Sequence, residues 1–255
     1  MDDDSARPRE WDAGTYHQVA VPHQGWSDEI LERLTLRGDE TVLDLGCGTG
    51  NVAERLLERL PNGHVIGVDG SAAMVQQARE RLPERTTFVH ADLLDLEVEP
   101  PADAAVSSAT FHWIADHDRL FARVRAALVP GAPLVAQCGG RGNIAGIVAG
   151  AEAVAAHEPF APYLAGWPGP WNFAGPEETT ERLQRAGFAV QNCWLADSPQ
   201  RPERIRDFLG SVTLGSHLLR LPEKLRDPFL DAVVEQLGPD PVQDYVRLNI
   251  VASAV

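Results

Sequence analysis

Through its first 140 residues the chain alternates short apolar runs with longer stretches in which apolar positions recur every three or four residues. The short runs, TVLDL (41–45), HVIGV (64–68), TTFVH (86–90), DAAVSSA (103–109) and PLVAQC (133–138), have the length and composition of buried strands. The stretches between them, NVAERLLERL (51–60), SAAMVQQARERL (71–82) and DRLFARVRAAL (118–128), have helical periodicity. Each opens on a polar residue and stops at or just before a proline or glycine, as helix ends require. Strands alternating with helices predict a mostly parallel sheet covered on both faces.

After Gly139 the pattern changes. GGRGNIAGIVAGAEAVAAH reads as a helix punctuated by glycine, and EPFAPYLAGWPGPWNFAGP is dense in proline, glycine and aromatic residues, which predicts an insertion after the fifth strand. A helix at 177–187 and a strand at 188–196 resume the sheet. Two helical segments at 203–214 and 223–237 follow, and VQDYVRLNIVASA closes the chain as a seventh strand, suited to the antiparallel edge that large parallel sheets often carry. The expected fold is therefore α/β and Rossmann-like. It has a seven-stranded, mostly parallel sheet with helices on both faces, an antiparallel edge strand, and a helical and aromatic insertion after the fifth strand. As one domain over 1–255 it divides into an N-terminal lid (1–35), a cofactor-binding core (36–138) and two substrate-pocket insertions (139–176 and 200–240).

Composition narrows the function classes. With 255 residues, 44% hydrophobic and 23% charged, the chain has an ordinary globular balance, and no apolar run approaches the roughly 20 residues that a membrane span needs. MDDDSARPRE lacks the features of a secretory or transit peptide, so a cytoplasmic protein that does not engage a membrane is expected. Cys47, Cys138 and Cys193 have neither metal-ligand spacing nor an even count, and read as thiols. A formal charge of −15 disfavours a nucleic-acid partner and leaves a small-molecule substrate as the expectation, with the protein a monomer or homodimer. No group of residues has metal-ligand spacing.

The chemistry concentrates at 42–50, VLDLGCGTG. A strand followed by glycines and a helix places backbone amides beside an open crevice, where an adenosine-bearing ligand is expected. The spacing is G-x-G-x-G, unlike the G-x-G-x-x-G of dinucleotide sites. Asp44 stands two positions before Gly46 and would repel a pyrophosphate. S-adenosylmethionine carries an ammonium and a sulfonium instead, for which a carboxylate is favourable. Asp69 ends the second strand, where an acidic side chain can hold ribose hydroxyls. Asp92 ends the third, within reach of an adenine amino group. Met74 and Leu93 either pack on the adenine or belong to the core, and Asp69 in Asp-Gly-Ser is equally placed to cap a helix.

These segments, VLDLGCGTGNVAERL, VIGVDGSAAMVQQARERL, FVHADLLDL and SSATFHWIADHDRLFARVRAAL, resemble the successive motifs of class I S-adenosylmethionine-dependent methyltransferases. More narrowly they are similar to trans-aconitate and juvenile hormone acid methyltransferases. The Trp11/Tyr16 pair, LVAQCGG and YVRLNIVA extend the likeness over nearly the whole chain. The resemblance implies a cofactor set of Trp11, Tyr16, Asp44, Gly46, Cys47, Gly48, Asp69, Gly70, Met74, Asp92, Leu93 and Ser108. S-adenosyl-L-methionine would be the donor and S-adenosyl-L-homocysteine the product. It also implies that His23 and Trp113 contact substrate. Where trans-aconitate enzymes carry an Arg-Pro pair, this chain has TLGSHLL, which weakens the case for a tricarboxylate. Arg141 and Arg247 are alternative cations.

Methyl transfer is an in-line displacement, so a carboxylate acceptor needs no base, whereas a hydroxyl, amine or carbon acid usually needs one. His23, His112 and His17 are the candidate bases, and His117 is expected to be a cap or surface residue. Trp167 and Trp171 lie in the aromatic insertion with Phe160, Tyr163 and Phe173, and with Gln137 and Tyr245 they are expected to form an apolar acceptor pocket. O-methylation of a carboxylate or a natural-product hydroxyl is the leading reading. A cofactor-binding protein that transfers no methyl group, as a cyclase or regulator, and a C- or N-methyltransferase remain open, while a dinucleotide oxidoreductase is disfavoured by the loop spacing.

Overall fold

The computed structural model describes residues 23–82, 84–201, 204–239 and 241–255. Seven strands form one sheet: β1 (Thr41–Leu45), β2 (His64–Asp69), β3 (Thr86–His90), β4 (Ala104–Ser108), β5 (Pro133–Gly139), β6 (Phe188–Asp197) and β7 (Val246–Ala254). Their order is β3-β2-β1-β4-β5-β7-β6, and all pairings from β3 to β5 are parallel. The reversed strand is β7, which lies between β5 and β6 and pairs antiparallel with both, leaving β6 outermost. The antiparallel pairing expected at this end of the sheet is present, but the reversed strand sits one place inside the edge. Its residues suit that place, because six of its nine are buried.

Period-two alternation divides the strand side chains between two cores. Leu43, Ala105, Leu134 and Ala136 face a cluster that includes Leu120, Phe121 and Val124 of α4 (His117–Ala126) and Leu183 of α7 (Pro176–Arg185). Their neighbours Val42, Ala104, Val106 and Val135 face the opposite cluster. That cluster contains Val52, Ala53 and Leu56 of α2 (Asn51–Arg59) and Val75 and Ala78 of α3 (Ala72–Arg81). Burial on both faces explains why these strands read as near-continuous apolar runs. A third cluster gathers the segments after β5: α5 (Ala145–Ala155), α6 (Ala161–Leu164), α8 (Ile205–Phe208), α9 (Gly215–Arg220) and α10 (Glu223–Leu237), with Tyr245 at the entrance to β7. This helical cap is where the two predicted insertions meet.

One helix was not foreseen. Residues expected to belong to a lid form α1 (His23–Glu32), whose Ile30 and Leu31, with Leu34 beyond its end, are buried in the cluster on the α2 and α3 face. Spacing of one and four positions puts these side chains on one stripe, and the helix becomes a covering layer of the sheet. A buried polar network holds it there. Arg33 donates to Asn249 Oδ1 at 2.7 Å, and Gln137 donates to the same oxygen at 2.9 Å. Gln137 Oε1 accepts from Arg247, and Asn249 donates to the Arg247 carbonyl. The Arg33 guanidinium also lies 5.0 Å from the Trp194 ring of β6.

Removing the shared acceptor would leave both donors with Glu29 Oε2 alone, at 3.4 Å from Arg33 and 3.5 Å from Gln137. Asn249→Ala is expected to destabilise the protein by about 1–2 kcal/mol, because Arg33 and Gln137 lose their shorter hydrogen bonds. Urea unfolding of variant and wild type measures the difference, and a loss under about 0.5 kcal/mol would show that the network carries no such constraint.

Candidate functional site

The β1–α2 connection stands at the switch point where the sheet order reverses, with β2 on one side of β1 and β4 on the other. Gly46, Gly48 and Gly50 all have positive φ (77°, 52° and 87°), a conformation costly for residues with a Cβ. Their surroundings differ. A Cβ on Gly46 would lie 2.1 Å from Thr110 Oγ1, whereas one on Gly48 would meet nothing within 4 Å. Gly46 therefore admits the chain after β4, and Gly48 fronts the open crevice. The sequence offered no signal for Thr110.

Hydrogen bonds fix this loop. The amides of Gly46 and Cys47 donate to the Val68 carbonyl, and Gly50 donates to the Cys47 carbonyl. Gly48 N–H donates to Asp69 Oδ2 at 2.9 Å, while Ser71 N–H donates to Asp69 Oδ1 at 2.8 Å. The helix cap of α3 is Ser71, whose hydroxyl accepts from Met74 N–H. Asp69 is thus the clamp between the glycine loop and α3, and Gly70 between them bears a carbonyl within hydrogen-bonding distance of His90. Asp92 accepts from Leu94 N–H through Oδ1 at the start of a short helical turn. Leu93 packs into the sheet-face core, and Met74 is also buried. For Leu93 the core alternative describes what it touches.

Asp44 is 1% exposed, and neither carboxylate oxygen has a hydrogen-bond partner among the described residues. Burial, followed by the like charge of Asp69, raises its carboxyl to about 7, with the Ala53 backbone N–H acting in the opposite direction. A desolvated acid of this kind is stabilised by a cation and repelled by a phosphate. The residues therefore fit a positively charged ligand group and disfavour a pyrophosphate. Cys47 beside it is held as a thiol, its titration raised by burial and then by Asp44 and Asp69.

On the other side of the crevice, Ser108 ends β4 and its carbonyl accepts from the Thr110 hydroxyl. Ala109 takes a left-handed backbone (φ 56°), an uncommon choice for alanine. His112 follows, buried, with Nδ1 accepting from Gly139 N–H at 3.2 Å. In the neutral ring this places the proton on Nε2, so that nitrogen is a donor and not a general base. His117 is neither cap nor surface residue: it is buried, its ring pairs with the Phe111 carbonyl and Arg182, and Asp116 is the cap of α4. Burial, then Arg182, keeps it neutral by lowering its pKa.

The aromatic insertion is pinned to this turn. Asn172 donates its amide to the His112 carbonyl and its side chain to the Ala115 carbonyl. Phe173 stacks on His112 at 5.8 Å, Trp171 on Phe173 at 5.6 Å, and Trp113 lies 6.3 Å from Trp171. Trp167 and Trp171 both contact His217 of α9, at 4.8 and 5.6 Å, and His217 stacks on Phe229. His217 sits in an apolar segment of α9, and sequence reading gave it no role. Tyr245 is buried in the cap cluster, under the Arg247 guanidinium. Gln137 is corrected from pocket wall to framework, because both ends of its amide bond protein groups. Arg141 pairs with Glu177 and Glu178 on the surface. Trp11, Tyr16 and His17 lie outside the described residues, and His23 begins α1 with its side chain outside that description.

Asp44 gives a sign-specific prediction for the cofactor-free protein. The fold keeps its proton up to about pH 7, whereas an unfolded chain releases it near 3.8. The folded state therefore binds more protons in that window, and wild-type stability falls as pH rises through it. Asp44→Asn removes this fall, so its stability relative to wild type should increase by up to about 4 kcal/mol between pH 4 and pH 8. Urea unfolding across that range tests it, and a difference that stays constant with pH would contradict the assignment.

Comparison with known proteins agrees with this geometry. Residues 42–131 match the family described as "Methyltransferase domain". The chain is 38% identical over 128 residues to trans-aconitate 2-methyltransferase of Acidovorax sp. (strain JS42), a match covering 50% of this chain and 49% of that protein. The matched part thus spans about half the length of this curated relative. Among solved structures, the fold is similar to the [4+2]-cyclase SpnF (22% identity, TM-score 0.59, 91% of this chain and 80% of that one). It is also similar to phospholethanolamine N-methyltransferase 2 of Haemonchus contortus (20% identity, TM-score 0.60, 95% and 56%). The stretch that matches the methyltransferase-domain family, residues 42–131, is the one that carries the glycine loop, Asp69 and Asp92.

Proposed function

We propose that this chain transfers a methyl group from S-adenosylmethionine to the carboxylate oxygen of a small acceptor with an apolar body. The observation that carries the reading is Asp44, a buried carboxylate whose oxygens have no hydrogen-bond partner among the described residues, set beside a glycine loop clamped by Asp69. When bound, S-adenosylmethionine supplies an electrophilic methyl group on a sulfonium. Asp44 would offset the positive charge of that ligand, Asp69 and Asp92 would accept from its ribose and adenine through their remaining lone pairs, and Gly48 would allow close backbone approach. The Haemonchus structure is of a complex with S-adenosylhomocysteine, which supports this choice of ligand.

The acceptor side supports a carboxylate. A carboxylate oxygen is already a nucleophile, and His112, with its proton on Nε2, can donate to it without having to remove a proton. The aromatic groups Trp113, Trp171 and Phe173 exclude water from a displacement that benefits from a dry, aligned approach. The Acidovorax relative is named for a carboxylate acceptor, trans-aconitate.

Calorimetry with S-adenosylmethionine and S-adenosylhomocysteine, followed by a labelled-methyl assay over carboxylates and phenols, tests the proposal. Asp69→Ala is expected to weaken cofactor binding by about 10- to 100-fold, the cost of losing charge-assisted hydrogen bonds. Unchanged affinity in that variant would refute the site. Tight binding by wild type without transfer to any acceptor would refute the reaction.

A further inference from the structure

The ring contacts leading away from His112 end on a second histidine with unusual surroundings. His217 is 6% exposed, and its Nδ1 has no hydrogen-bond partner among the described residues. Around it stand Trp167, Trp171 and Phe229. An unpaired polar nitrogen in an apolar setting destabilises a fold, which gains nothing from it that phenylalanine would not supply. The groups in front of it are not closed core: Trp167, Trp171 and Phe173 each keep part of their surface exposed. They sit on a segment that turns through Gly166 and Gly169, both at positive φ.

This wall is continuous with the reaction centre. Phe173 stacks on both His112 and Trp171, and Trp171 meets His217 at a tilt of 40°; His112 lies two positions after Thr110, which fills the space beside Gly46 of the glycine loop. A molecule lying along the aromatic wall with one end near His112 would present its other end to His217. The imidazole is uncharged near neutral pH, since burial and then Arg220 push it down to about 4. Arg220 itself is exposed and lies over Trp167 at 4.7 Å.

Resting on the methyl-transfer reading above, we infer that His217 is a specificity-determining residue that hydrogen-bonds the methyl acceptor, whose apolar body lies against Trp171 and Phe173. The acceptor class that fits is a monocarboxylate with a flat or chain-like apolar body and a single uncharged polar group at its far end, where His217 meets it. A tricarboxylate fits poorly, because its extra charges would be desolvated against neutral rings and an uncharged imidazole.

The test uses the full chain with 3-(4-hydroxyphenyl)propanoate and trans-aconitate as probes, followed by tryptophan fluorescence and calorimetry, with and without S-adenosylhomocysteine. Wild type should bind 3-(4-hydroxyphenyl)propanoate, whose hydroxyl can pair with His217, at least tenfold more tightly than trans-aconitate. His217→Phe, which preserves the ring and removes its nitrogens, should weaken 3-(4-hydroxyphenyl)propanoate at least tenfold. His217→Asn, which keeps a polar atom near Nδ1, should stay within about threefold of wild type. Both variants should bind S-adenosylhomocysteine as wild type does. Equal probe affinity in the Phe variant and wild type, absence of saturable 3-(4-hydroxyphenyl)propanoate binding, or a preference for trans-aconitate would overturn the inference. Failure of wild type to bind S-adenosylhomocysteine would count against the cofactor reading, and the cofactor-free titrations would still decide the role of His217.

Discussion

The site depends on a carboxylate that holds two backbone segments at once. Asp69 accepts from Gly48 in the loop after β1 and from Ser71 at the start of α3, so one side chain sets the path of the cofactor loop and the position of the next helix. Each oxygen of a carboxylate accepts more than one hydrogen bond, so the clamp and a ligand can share it. The same charge acts on Asp44 across the loop and favours the protonated form there. A cation arriving at the crevice relieves both the burial and the repulsion. The loop is therefore built around a local excess of negative charge that the bare protein tolerates and a cationic ligand satisfies.

The parallel part of the sheet was legible in the sequence because strand burial on both faces leaves a strong apolar signal. Five strands begin and end within a residue or so of their expected positions, and TVLDL and TTFVH coincide with β1 and β3. Asp44, Asp69 and the glycines were legible for a related reason: loop chemistry at a strand end is local, and spacing alone separates it from a dinucleotide site. Long-range relations were not. The covering role of α1 depends on Asn249, more than two hundred positions away, and the placement of β7 inside the edge depends on β6 taking the outer position.

The acceptor side was legible in composition but not in role. Aromatic residues of the insertion do line the approach to the β4 turn, as their density suggested. The partners of His112 and Gln137 were not legible, because no spacing reveals which groups a ring or amide nitrogen meets. His117 moved from surface to core for the same reason, its two ring nitrogens being engaged by a carbonyl and a guanidinium. His217 lies in a run of leucines and glycine that carries no polar pattern. Polar groups inside apolar segments are where sequence periodicity is least informative, and they are also where this fold differs most from a plain core.

The anchoring of α1 to β7 has a consequence for biosynthesis. Arg33 emerges from the ribosome early and its partner Asn249 emerges 216 residues later. Until then β5 presents an unpaired strand edge, and β6, which pairs only with β7, has nowhere to dock. Such edges template association between nascent chains. Closure of the sheet is thus a late event that completes two strand pairings and fastens the first described helix at the same time.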